Sequence, residues 1–217
     1  VEPDGKGFPG DEQAAERIKG LQLLVDRAAK YGIKIYLYVN EPRALETEYF
    51  ESSEQRRAYG GAVSGTMQAF CPSNPEVLGW LSRSMESLFT QVKNLGGVFT
   101  ITASENFTTC VSHRRQHLCE RCKDGDYEEL IAGVTRAIEE GVHKAAPDAK
   151  VIAWDWGWPD ESCEEIIKRL PKKCWFMSVS EWSKPIVRGG VESTVGEYSI
   201  STVGPGPRAQ RNWEYAR

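Results

Sequence analysis

Apolar residues recur three and four positions apart over 12–31, where Ile18, Leu21, Leu24, Val25 and Ala28 share one face and Gly32 supplies a stop. That spacing predicts a helix. Residues 33–39 (IKIYLYV) predict a buried strand running into Asn40-Glu41-Pro42-Arg43. A second helix is expected from Pro75, capped by Ser73 or Asn74, with Val77, Leu81, Met85, Leu88 and Val92 facing inward. Gly96-Gly97 closes it and leads into a strand over 98–102, rich in β-branched residues, which ends in Ser104-Glu105-Asn106. A third helix begins near Tyr127, its period kept by Leu130, Ile131, Val134, Ile138 and Val142. Strand 150–154, a short helix to about residue 170 and strand 174–179 follow, with a last candidate strand at 197–201. Residues 44–74 and 107–125 are irregular; their length suggests functional loops or a small insertion.

Alternating helices and strands imply a parallel sheet with right-handed crossovers. An open doubly wound sheet would call for a glycine-rich phosphate loop after a strand, and no such motif is present. Successive strands instead end in acids: Glu41, Glu105, Asp155 and Glu181. The expected fold is therefore α/β, of the (β/α)8 TIM-barrel type, whose chemistry sits at the C-terminal ends of the strands. A full barrel needs about 250 residues, so the 217 residues of this chain are expected to form one partial barrel domain. Its remaining strands would then come from a longer protein.

Flat apolar faces suit sugar rings, and Trp154, Trp156, Trp158 and Trp182 stand beside these acids. Glycoside hydrolysis needs two carboxyl functions, or one and a participating substrate group. Glu105 is the first choice as general acid, because the apolar strand before it would desolvate the carboxyl and raise its pKa. Asp155 and Glu41 would support it, and Asn40, Arg43, Asn106 and Glu181 would contact the substrate. The rival reading is a non-catalytic carbohydrate-binding or scaffold domain.

Charge and cysteine usage refine this picture. A net charge of −4 argues against nucleic acid as partner, and no apolar run approaches the ~20 residues of a membrane span. No signal-peptide pattern opens the chain. Of the six cysteines, Cys110, Cys119 and Cys122 fall in the run CVSHRRQHLCERC with His113 and His117. Cys110-x2-His113 and Cys119-x2-Cys122 have the spacing of a tetrahedral zinc site, His117 being an alternative fourth ligand. Such a site would be structural and would staple the loop after Glu105. A local disulfide or free thiols are the alternatives. Cys71, Cys163 and Cys174 have no ligand spacing, and His143 is expected on a solvated helix face.

The succession of helix, YGIKIYLYVNEP, helix, GGVFTITASEN and AWDWGW resembles the third to fifth units of a glycoside hydrolase barrel. Over residues 12–158 it is nearest to the family 20 β-N-acetylhexosaminidases. That resemblance implies Glu105 as the acid and N-acetylhexosamine-type sugars as substrates, although Ser104 stands where the family carries the Asp that orients the acetamido group. Asn40-Glu41-Pro42 also resembles the acid/base motif of the large retaining glycosidase clan. This second resemblance implies Glu41 as acid/base and Glu181, three strands on, as nucleophile.

Overall fold

The computed structural model describes residues 8, 13–40, 42–103, 106–181, 185–194 and 205–217. Helix α1 (Ala14–Ala29) precedes strand β1 (Tyr36–Val39). An insertion follows, made of β2 (Leu45–Glu46), α2 (Thr47–Glu51), α3 (Glu54–Tyr59), β3 (Gly60–Ser64) and β4 (Met67–Phe70). The chain then alternates through α4 (Pro75–Gln91), β5 (Gly97–Thr100), α5 (Tyr127–Ala145), β6 (Lys150–Trp154), α6 (Cys163–Arg169) and β7 (Trp175–Met177). A hairpin, β8 (Pro185–Arg188) and β9 (Val191–Thr194), and helix α7 (Pro207–Tyr215) complete the described elements.

The main sheet is parallel, with four strands in the order β1-β5-β6-β7, which is also chain order. Tyr36 pairs with Gly97, Gly97 with Lys150 and Ile152 with Trp175, so all four strands end on one side. Helices cover one face. Val77, Leu81, Met85 and Phe89 of α4 and Val134, Ile138 and Val142 of α5 pack onto Val98 and Val151. Asn74 caps α4 through the Glu76 N–H, with Pro75 at the first position. Phe89, rather than the expected Leu88, is the fully buried residue of that turn. Helices α4 and α5 approach closely at Gly141, where a Cβ would lie 2.1 Å from the Ser82 carbonyl oxygen.

The opposite face is covered by the described residues only toward the strand ends, where Ile101, Val179 and Trp156 pack with Trp154. Register aligns Tyr38, Phe99, Ile152 and Trp175 in one row across it. Tyr38 is 57% and Trp175 56% exposed. Strand β1 is half-buried on one face and exposed on the other, where the sequence predicts a buried strand.

Residues 44–74, expected to be irregular, fold into a three-stranded antiparallel sheet, β2-β4-β3, with α2 and α3 beside it. Phe50 and Phe70 of this insertion, together with Phe8, stack toward Trp80 of α4 and fasten it to the main body. Hairpin β8–β9 turns at Gly189 and Gly190, both at positive φ. The candidate strand at 197–201 lies outside the described residues.

Candidate metal centre and strand-end site

Four cysteines converge where the loop that follows β5 meets the end of β4. The Sγ atoms of Cys71, Cys110, Cys119 and Cys122 all lie within 4.8 Å of one another, and all four residues are buried. Cys71 is 3.5 Å from Cys122 and 3.7 Å from Cys119. A tetrahedron of thiolates about 2.3 Å from a central ion has edges of about 3.8 Å, so the four cysteines are close enough to bind a metal ion. All are free thiols, not disulfides.

Local structure explains the convergence. A parallel bridge between Phe70 and Thr109 sets the next residues, Cys71 and Cys110, side by side. Two short 3-10 turns, Ser112–Arg114 and Gln116–Leu118, carry the chain round to Cys119. There Cys122 and Lys123 donate their N–H groups to the Cys119 carbonyl and form a tight knuckle. The Ala62 N–H donates to Cys110 Sγ at 3.2 Å, and Ser73 Oγ lies 3.2 Å from Cys122 Sγ. Gly61 makes the approach possible: a Cβ there would sit 2.2 Å from Cys110 Sγ.

The four thiols lie close enough to shift one another. Sulfur–hydrogen contacts from Cys110, then Cys119 and Cys122, drive the Cys71 thiol far down. Contacts of the same kind, led by Cys119, drive Cys110 far up.

His113 is not a member of the quartet. It is exposed in the left-handed region at φ 56°, and Cys71 takes the place assigned to it. His117 is also exposed and turns its Nδ1 to the Arg114 carbonyl. Cys110-x2-His113 resembles a ligand pair, but the true neighbour of Cys110 comes from the end of β4. The signals available in the sequence were the leftover Cys71 and the Gly60-Gly61 pair, which marks a close approach.

Comparison with known protein families, curated proteins and solved structures found no match. The site therefore rests on its own geometry.

The strand ends give a second cluster. Asn106 Nδ2 donates to Asn40 Oδ1 at 3.2 Å, joining the segments that follow β5 and β1. Phe107 accepts the Ala44 N–H across the same seam. Glu41, Glu105 and Trp182 lie outside the described residues. Arg43 is exposed. Asp155, expected as a supporting acid, is 0% exposed. Its carboxylate accepts from Ser178 Oγ (2.6 Å), the Val179 N–H (2.7 Å), Arg208 Nη1 (2.6 Å) and Asn212 Nδ2 (3.0 Å). Both oxygens are occupied, so this geometry fits an anchor for α7 better than an acid open to substrate. Glu181 accepts the Arg208 N–H at the start of α7, 3.3 Å away.

The tryptophans divide. Trp154 is half-buried beside Trp156, with ring centroids 5.1 Å apart. Trp156 is 6% and Trp158 3% exposed. Trp158 packs with Ile166 and Ile167 of α6, so it serves the core rather than a sugar face. Cys163 is buried against the Arg208 guanidinium, and burial pushes its thiol up to about 11. His143 is not solvated as expected. Its side chain is 9% exposed, paired with Glu139, and its Nε2 lies 2.9 Å from the Ala149 carbonyl.

Proposed function

We propose that the cysteine quartet holds a structural zinc ion that pins the loop after β5 to the insertion. The observation that carries this reading is the set of four buried Sγ atoms within 4.8 Å. Four protein thiolates leave no open coordination position, which suits a closed structural site rather than a catalytic one. Cys71, Cys110, Cys119 and Cys122 would be the ligands. When bound, the ion would supply cross-linking energy to a loop of little regular structure. Protein purified without chelator should contain about one zinc per chain by elemental analysis. Iron in its place, or no metal, overturns the assignment.

We further propose that the braced domain belongs to a (β/α)8-type glycoside hydrolase, with Glu105 as general acid, acting on N-acetylhexosamine-type sugars. Three features support this second reading. The parallel strands follow chain order, as in a barrel wall. The row Tyr38, Phe99, Ile152 and Trp175 is apolar on the face away from the helices, as a barrel interior requires. The Asn40–Asn106 bond links two strand ends that each adjoin a candidate acid. The test is hydrolysis of a panel of chromogenic glycosides by wild type and Glu105→Gln. Turnover that disappears in the variant is expected. Turnover untouched by the change removes Glu105, and sugar binding without turnover favours a carbohydrate-binding domain.

A further inference from the structure

Arg121 sits between Cys119 and Cys122 in sequence and folds back over a third cysteine. Its Nε donates to Cys71 Sγ at 3.3 Å, and its Nη2 donates to the Gly60 carbonyl. We infer that Arg121 is a positioning residue of the metal centre, which holds Cys71 in place and balances the charge of the bound thiolates. This rests on the reading of the quartet as a zinc site.

The charge argument is direct. Four thiolates around a divalent cation leave two negative charges in a buried site, and uncompensated buried charge is costly. Among the donors to the four sulfurs, the Ala62 N–H is neutral and Ser73 Oγ is neutral. Arg121 is the charged one among the described contacts to these sulfurs.

The geometric argument concerns Cys71. Cys119 and Cys122 are fixed by their own knuckle, and Cys110 by the Ala62 N–H. Cys71 comes from 48 residues before Cys119. The planar guanidinium grips it and the β3 backbone at once, a two-point hold that a lysine ammonium reproduces poorly. Donors of this kind, one step removed from the metal, orient the ligand and tune its affinity, and their loss costs about 10- to 100-fold in metal binding.

The experiment uses the full chain and zinc itself. Zinc affinity is measured by competition with a chromophoric chelator for wild type, Arg121→Met, Arg121→Gln and Arg121→Lys. Cobalt substitution reports the sulfur-to-metal charge-transfer bands of each. Arg121→Met and Arg121→Gln should bind zinc about 10- to 100-fold more weakly, with shifted cobalt bands, and Arg121→Lys should recover part of the loss. Arg115→Met, whose guanidinium lies over the Phe107 ring instead, should bind as wild type does. Affinity of either neutral variant within about two-fold of wild type overturns the role of Arg121. Should Arg121→Met fail to fold, Arg121→Gln, the closer isostere, decides. Wild type that takes up no zinc overturns the underlying metal reading instead.

Discussion

Arg208→Met tests how much α7 depends on one buried ion pair. Arg208 is 2% and Asp155 0% exposed, and Nη1 lies 2.6 Å from Oδ2. The substitution keeps much of the apolar stem but removes the only cation on a fully buried carboxylate among the described contacts. Asp155 would keep the Ser178, Val179 and Asn212 donors, so its hydrogen bonds would be partly met while its charge would not. Breaking a buried pair by deleting one partner costs about 3–5 kcal/mol. With a urea m-value of about 2–3 kcal/mol/M, the unfolding midpoint should fall by about 1–2 M. Asp155→Asn should cost less, because Arg208 retains Asp160 at 2.7 Å and the Val179 carbonyl at 3.2 Å. In the double variant no buried charge is stranded at Asp155, so its loss should be smaller than the sum of the two single losses by more than about 1 kcal/mol. Circular dichroism across a urea series measures all three. A loss for Arg208→Met below about 1 kcal/mol would refute the claim that the pair is desolvated.

The other predictions concern the metal loop and α5. Cys71→Ser should abolish stoichiometric zinc binding while His113→Ala leaves it intact, measured by elemental analysis after gel filtration. Gly61→Ala should weaken metal binding, because its Cβ falls about 1.5 Å inside ordinary contact with Cys110 Sγ. Gly133→Ala, with nothing within 4 Å of its Cβ inside α5, should instead stabilise by about 0.5–1 kcal/mol in thermal melts. Asp126 caps α5 by accepting the Glu129 N–H at 3.0 Å, and that bond, then Arg169, holds its carboxyl below the usual range. A folded-state pKa lowered in this way stabilises the protein above the unfolded value of about 3.9 and stops doing so as pH falls through the folded value. Asp126→Ala should therefore cost about 1 kcal/mol at pH 7 and progressively less below pH ~4, and an equal penalty at both pH values would contradict the cap.

Helical period made α1, α4, α5 and α6 readable, and the four parallel strands were placed within a few residues by their apolar runs. Helix α7 was not readable, because its buried residues are Arg208, Ala209 and Asn212. A helix that buries polar side chains against Asp155 shows no apolar stripe. The insertion was opaque for another reason: strand β2 has two residues, and β3 and β4 lie in no extended apolar run. Within the cysteine quartet, Cys119 and Cys122 were legible as a knuckle. Cys71 was not, because the Phe70–Thr109 bridge that brings it to Cys110 spans the whole of α4 and β5. Asp155 stood out as an acid at a strand end, but its partners on α7 lie 53 and 57 residues away and could not be inferred from spacing.

On the proposed metal reading, the division of the quartet into three cysteines near in sequence and one distant would tie metal affinity to tertiary assembly. Cys110, Cys119 and Cys122 can meet an ion while the rest of the chain is unfolded, since only a short loop must close. Cys71 arrives only when the insertion and β5 have docked. The difference between three-ligand and four-ligand affinity is then part of the free energy of docking itself. Exchange of a bound ion would then gauge assembly elsewhere in the fold: loosening the α4–α5 seam at Gly141, whose close contact is the Ser82 carbonyl and not a sulfur, should speed metal loss.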